Sequence, residues 1–165
     1  MTAEEIKNIL SGRLGEEAVL ELLESDEEGM TVYDPPQIVV RADLIAEAAL
    51  VCRDEESLRF DSLMSLGAVD NGERLTALYH LHSMTHRHQI ALRADVPRAE
   101  PSIPTVENVW KTANWHEREA GELMGIAFEG HSDPRPLLLP EDWEGHPLRK
   151  DYVVQEYYKG MKVPY

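Results

Sequence analysis

The sequence predicts an α/β (α+β) chain. An antiparallel β-meander is covered by N-terminal helices and followed by a further helix and a long extended C-terminal arm. Three observations predict this. Apolar residues recur at helical spacing in the first 23 residues and again from Asp43 to Cys52. Alternation with a period of two takes over between Phe60 and Val96. Beyond Gly125 regular periodicity stops, and prolines and aromatics accumulate.

In the first segment Ile6, Ile9, Leu10, Leu14, Val19, Leu20, Leu22 and Leu23 carry the helical spacing. Thr2 followed by Glu5 fits a capping box. Gly12 and Gly15 weaken the middle, so two short helices joined there also fit. The acidic run Glu24-Ser25-Asp26-Glu27-Glu28-Gly29 predicts a turn or loop. Thr31-Val32-Tyr33 and Gln37-Ile38-Val39-Val40 predict short strand pieces. Pro35 and Pro36 between them argue against a regular central strand. Leu44, Ala48, Leu50 and Val51 give the second helix its apolar face.

Phe60–Val69, Arg74–Ser83 and Arg87–Val96 then read as three consecutive strands. Asn71-Gly72 is a strong hairpin signal between the first two. In the middle strand Leu75, Ala77, Tyr79 and Leu81 share one face, with Thr76, Leu78, His80 and His82 on the other. Three prolines between Pro97 and Pro104 predict a hinge without a strand. Thr105 is placed to cap a short helix, Val106 to Trp110. A longer helix from about Asn114 to Met124 ends at Gly125. The organisation predicted is a single α/β domain over residues 1–125 and an extended arm over 126–165 that needs a surface to pack on, either its own domain or partner subunits. The arm is too aromatic for a disordered tail and too rich in proline for regular elements.

Composition narrows the function. At 165 residues the chain can bury a real core. Its 16 basic against 31 acidic side chains give −15, which disfavours nucleic acid and anionic lipid as partners. The acidic excess lies in the first seventy residues, where 5 basic face 17 acidic side chains, and reads first as a solvated face. Cys52 alone excludes an intrachain disulfide and any four-cysteine cluster, and fits a reducing compartment. No segment has membrane-helix character, and MTAEEIKN lacks the pattern of a signal peptide.

Two clusters invite a chemical reading. His80, His82, His86 and His88 could converge on a metal across a hairpin, but no carboxylate or cysteine falls at ligand spacing there. A polar outer sheet face is the simpler account. Glu119 and Glu122 share a helix face, but Arg118 among the glutamates favours ion pairing over acid–base catalysis. No nucleotide-binding loop, nucleophile elbow or CxxC motif occurs. A packed thiol at Cys52 and a chain without catalytic or metal-ligating residues are the expectation.

The run from Trp115 through His116-Glu117-Arg118-Glu119 and Glu122 to Gly125-Ile126 continues to His131 and Arg135, then to Pro140-Glu141-Asp142-Trp143-Glu144-Gly145-His146-Pro147-Leu148-Arg149-Lys150-Asp151-Tyr152. This closely resembles the C-subunit family of proton-pumping NADH:quinone oxidoreductase, respiratory complex I. The resemblance is nearly continuous over about forty residues. Glu122 stands where aspartate is common, Met124 where phenylalanine or leucine is usual, and Pro136 where a second basic residue is frequent.

The resemblance implies a non-catalytic, cofactor-free subunit of the peripheral arm, near the quinone-reducing module. FMN and iron–sulfur clusters would lie in partner subunits, with subunits D, B and I as neighbours in a large membrane complex. NADH, or another donor, would supply electrons for a quinone (ubiquinone or menaquinone), with proton translocation. The location implied is peripheral, on the cytoplasmic side of the inner membrane. The residues expected at the partner interface are Glu117, Arg118, Glu119, Arg135, Trp143, His146, Arg149, Lys150 and Tyr152. Arg118, Arg135, Arg149 and Lys150 are expected to pair with carboxylates, either across that contact or within the chain. The competing readings are the equivalent subunit of a membrane-bound energy-converting hydrogenase, a freestanding histidine-rich metal-binding domain, and a soluble interaction module.

Overall fold

The computed structural model describes residues 1–25 and 32–163. Of the predicted acidic turn, Glu24 and Ser25 instead end a strand, while Asp26 to Gly29, Thr31 of the first strand piece, and Pro164 and Tyr165 lie outside the described residues. Helix α1 (Ala3–Leu14) opens with the expected capping box between Thr2 and Glu5. It stops at Gly15, whose φ of 96° is open to glycine and strained for other residues. The helical pattern therefore does not run on. A 3₁₀ turn leads into strand β1 (Val19–Ser25), so Val19, Leu20, Leu22 and Leu23 are strand residues. Apolar spacings of one to three residues fit either period over so short a run.

Strand β2 (Val32–Val40) is continuous through both prolines. It pairs antiparallel with β1 and, through Gln37–Val39 alone, parallel with β5. The prolines thus fall outside the two-sided part of the ladder, where a missing N–H costs nothing. Helix α2 (Ile45–Asp54) follows, then β3 (Ser62–Asp70), β4 (Arg74–His82) and β5 (Gln89–Pro97). The last three form the predicted meander. The whole sheet has the order β1-β2-β5-β4-β3 and is mixed, because β2 joins beside β5.

The predicted inward face of β4 is correct: Leu75, Ala77, Tyr79 and Leu81 are at most 1% exposed. They meet Ile38, Leu92, Ile45 and Ile6, so α1 and α2 cover one face of the sheet. Several elements differ from expectation beyond this point, among them three short strands in the arm expected to lack regular elements. Ser102–Pro104 forms a short strand, β6, paired in parallel with β7 (Ala127–Glu129) despite the prolines. Val106–Trp110 is a single hydrogen-bonded turn rather than a helix. Helix α3 (Ala113–Met124) then packs along the edge of β3. There His116 Nδ1 accepts the Leu66 N–H at 3.1 Å, so a side chain occupies an edge donor. A small hairpin, β8 (Tyr157–Tyr158) and β9 (Met161–Lys162), lies near the end of the chain.

Candidate functional site

Of the residues singled out by sequence, Glu117, Arg118, Arg135, His146 and Arg149 meet around α3, where the arm returns across the helix. Two buried carboxylates form the base of this clasp. Glu117, 1% exposed, accepts from the Val106 N–H at 2.7 Å and from the Thr105 hydroxyl. Burial pushes its carboxyl above the ordinary value, against these hydrogen bonds. Glu107 accepts from Asn114 Nδ2 at 2.6 Å and from the N–H and hydroxyl of Ser132 at 2.7 and 3.1 Å. Desolvation opposes its charge, but Asn114, Ser132 and His131 outweigh it and hold the carboxyl low.

His131 enters between the two acids, 3.6 Å from Glu107 and 3.9 Å from Glu117. Its Nε2–H donates to the Asn114 carbonyl at 2.9 Å, and Nδ1 accepts the Asp133 N–H at 3.0 Å. These two bonds select the Nε2–H tautomer.

Arg118 and Glu122, one helical turn apart, grip the next stretch. The Arg118 guanidinium donates to the carbonyls of Arg135 and Pro136 at 2.9 and 3.1 Å. Glu122 accepts the N–H groups of Leu137, Leu138 and Leu139 at 2.8, 2.8 and 3.2 Å. The two side chains therefore bind opposite polarities of one loop rather than each other. Arg135 pairs with Asp133 at 2.7 and 2.8 Å. A cavity of about 350 Å³ remains between α3, Ile126, Phe128, Pro134 and Pro136.

The arm then satisfies the C-terminal carbonyls of α3, which have no partner within the helix. His146 Nδ1 donates to Glu122 O at 2.9 Å, and Leu148 N–H to Leu123 O at 3.1 Å. Arg149 donates to Met124 O at 2.6 Å and Gly125 O at 3.3 Å. A cation at this end also suits the helix dipole. Gly125 adopts φ +72°, and a Cβ there would lie 2.5 Å from the His146 ring and 2.6 Å from Arg149 Nη2. Beyond it the Lys150 N–H donates to Asp70 at 2.8 Å, while Arg98 bridges Asp70 and Asp151. The Lys150 N–H, then Arg98, lower the Asp70 carboxyl to about 2.

Sequence expectation and geometry part at several residues. Arg149 binds carbonyls, not carboxylates. Arg118 binds carbonyls, with Asp133 at 3.8 Å. Lys150 contributes its backbone N–H to Asp70, and of these four only Arg135 makes a close carboxylate pair among the described residues. Trp143 is half-buried, its ring 5.6 Å from Tyr158, and Tyr152 lies against Gly145. Trp143 Nε1 and the Tyr152 hydroxyl are buried without a hydrogen-bond partner. Glu119 points to solvent. The arm from His131 to Asp151 thus lies on its own body, one of the two surfaces its composition leaves open. Sequence reasoning passed over Asp70, Arg98 and Glu107. Asp70 had a visible turn role, since it also accepts the Gly72 N–H, but nothing in its neighbourhood pointed eighty residues ahead.

The hairpin histidines have separate partners, although the His86 and His88 rings stack with centroids 5.6 Å apart. His80 meets Ser65 Oγ at 3.1 Å, His86 the Glu56 carbonyl at 2.9 Å, and His88 the Leu58 carbonyl at 2.7 Å. Cys52 is fully buried, and burial pushes its thiol up to about 12.

Fold and clasp define a small α+β body that carries its own C-terminal arm. Residues 38–158 match the family described as respiratory-chain NADH dehydrogenase, 30 Kd subunit. The C subunit of the NADH-quinone oxidoreductase of Chloroherpeton thalassium is 46% identical over 129 residues, 77% of this chain and 54% of that protein. The corresponding C subunit of Chlorobium phaeobacteroides is 47% identical over 130 residues, 77% of this chain and 78% of that one. Among solved structures, "Nqo5 of the trypsin-resistant fragment (1-134) in P63 form" aligns with a TM-score of 0.53 at 28% identity. That alignment covers 59% of this chain and 81% of the other. The chain belongs to the family of the 30 Kd subunit of respiratory-chain NADH dehydrogenase. It spans about half the length of the first of these relatives.

Proposed function

We propose that this chain is a non-catalytic peripheral-arm subunit of a proton-pumping NADH:quinone oxidoreductase, where it braces the quinone-reducing module. In this reading FMN and the iron–sulfur clusters sit in partner subunits, and electrons pass to ubiquinone or menaquinone without entering this chain. Its neighbours are subunits D, B and I, on the cytoplasmic side of the inner membrane. Family membership supports the reading. The observation that carries it is the clasp. Glu117, Arg118, Glu122, His131, His146 and Arg149 hold main-chain groups or one another in place. Such an arrangement makes a rigid mount.

Among the described residues no helix is long and apolar enough to cross a membrane. Attachment through other subunits is therefore part of the proposal. A tagged copy of the full chain, recovered from gently solubilised membranes, tests it. Co-purification of iron–sulfur subunits together with NADH-driven quinone reduction is the expected result. Recovery of the chain alone would overturn the proposal, and recovery of a nickel–iron hydrogenase would redirect it to that enzyme class.

A further inference from the structure

Two residues of the helix-α3 motif take no part in the clasp. Trp115 is 65% exposed. Glu119, one turn later, is exposed and has neither a hydrogen-bond nor an ion-pair partner among the described residues. The i, i+4 spacing places them side by side on the outward face. Glu119 stands at the rim of a groove of about 210 Å³ between α3 and the edge of β3. It is the one charged residue lining that groove among the described residues, and Leu66, Ala68, Leu123 and Leu148 supply apolar walls.

An uncompensated carboxylate over an apolar trough, beside an open indole face, fits a side chain with an aliphatic stem and a cationic head. Alternation along β3 adds an acceptor. Leu66 turns its N–H away from β4 to meet His116, so Ala68 two residues on also turns its N–H and C=O away from β4, toward the groove. A planar guanidinium can stack on Trp115 while bonding both the Glu119 carboxylate and a carbonyl, which an ammonium does less well.

We propose that the groove between α3 and β3 is a docking site for an arginine-bearing segment of a partner protein, its guanidinium seated between Trp115 and Glu119. The inference rests on the reading of this chain as a subunit of a larger complex. The test uses the full chain expressed in cells and purified within its complex. A photo-crosslinking residue is placed at position 67, where an added Cβ meets nothing within 4 Å. The expected crosslink joins another subunit within a few residues of an arginine. Glu119→Arg is expected to lower incorporation into the complex by about tenfold or more, with the melting temperature of the free chain unchanged. Arg→Glu at the crosslinked partner position is expected to restore it. A crosslink to a second copy of this chain, wild-type incorporation of Glu119→Arg, or failure of the charge swap each overturns the inference. If the unaltered chain enters no complex, the scaffold reading falls first and this one with it.

Discussion

Replacing Gly125 by alanine probes the clasp at its tightest point. The residue sits at φ +72°, and the added Cβ would lie 2.5 Å from His146 Cδ2 and Nε2 and 2.6 Å from Arg149 Nη2. Left-handed backbone costs an alanine about 1–2 kcal/mol. The clash also displaces two capping side chains. Loss of the charged Arg149 bonds costs about 1.5–3 kcal/mol and loss of the neutral His146 bond about 1 kcal/mol, less what water restores at this half-buried site. The sum is about 3–5 kcal/mol, or a fall in Tm of about 10 °C for a chain of this size. Gly160→Ala is the internal control. It has φ +78° and nothing within 4 Å of the new Cβ, so it isolates backbone strain. Urea denaturation of the two variants reads the difference. Equal destabilisation by both would refute the seating of His146 and Arg149 against the helix end.

Four further outcomes follow from the same geometry. Asp70 and Asp133 both have carboxyls lowered to about 2 from 3.8, by the Lys150 N–H with Arg98 and by Arg135 respectively. Depressed folded-state values give stability that is present above pH 4 and lost as the pH falls toward 2. The urea midpoint should drop across that window, and Asp70→Asn should remove part of the drop. Glu122→Gln replaces one of the two carboxylate oxygens that accept from Leu137–Leu139 with a donor NH2, so chymotrypsin should cut after Leu137 and Leu138 faster than in the native chain. Cys52 should resist alkylation at pH 8 until the chain unfolds, because its buried thiol stays protonated to about pH 12; rapid labelling of the native chain would contradict its burial. Trp143→Ala should reduce assembly into the complex more than it lowers the Tm of the free chain, since the ring is only half-buried, 5.6 Å from Tyr158; equal losses would contradict a docking role.

The meander, α2 and α3 were legible because alternation, helical spacing and the Asn71-Gly72 and Gly125 signals agreed with one another. Strand β1 was not, since Val19 to Leu23 fit a helical period as well as a strand and only the pairing with β2 decides. Strand β6 was hidden by prolines that retain their carbonyls; Pro101 O still accepts the Ala127 N–H. At the clasp, charged residue types marked the right region, yet their partners were main-chain groups. The N–H groups of Leu137–Leu139 and the carbonyls of Met124 and Gly125 leave no trace in side-chain pattern. Arginines that look destined for carboxylates therefore turn out to cap a helix and a loop.

Hydrogen exchange on the isolated full chain tests the central claim most directly. If the arm is seated on α3 before any partner arrives, the amides of Leu137, Leu138, Leu139, Leu148 and Lys150 exchange at least about tenfold more slowly than in an unstructured peptide. Exchange of those amides at unstructured rates in the free chain, with protection gained only inside the complex, would contradict it.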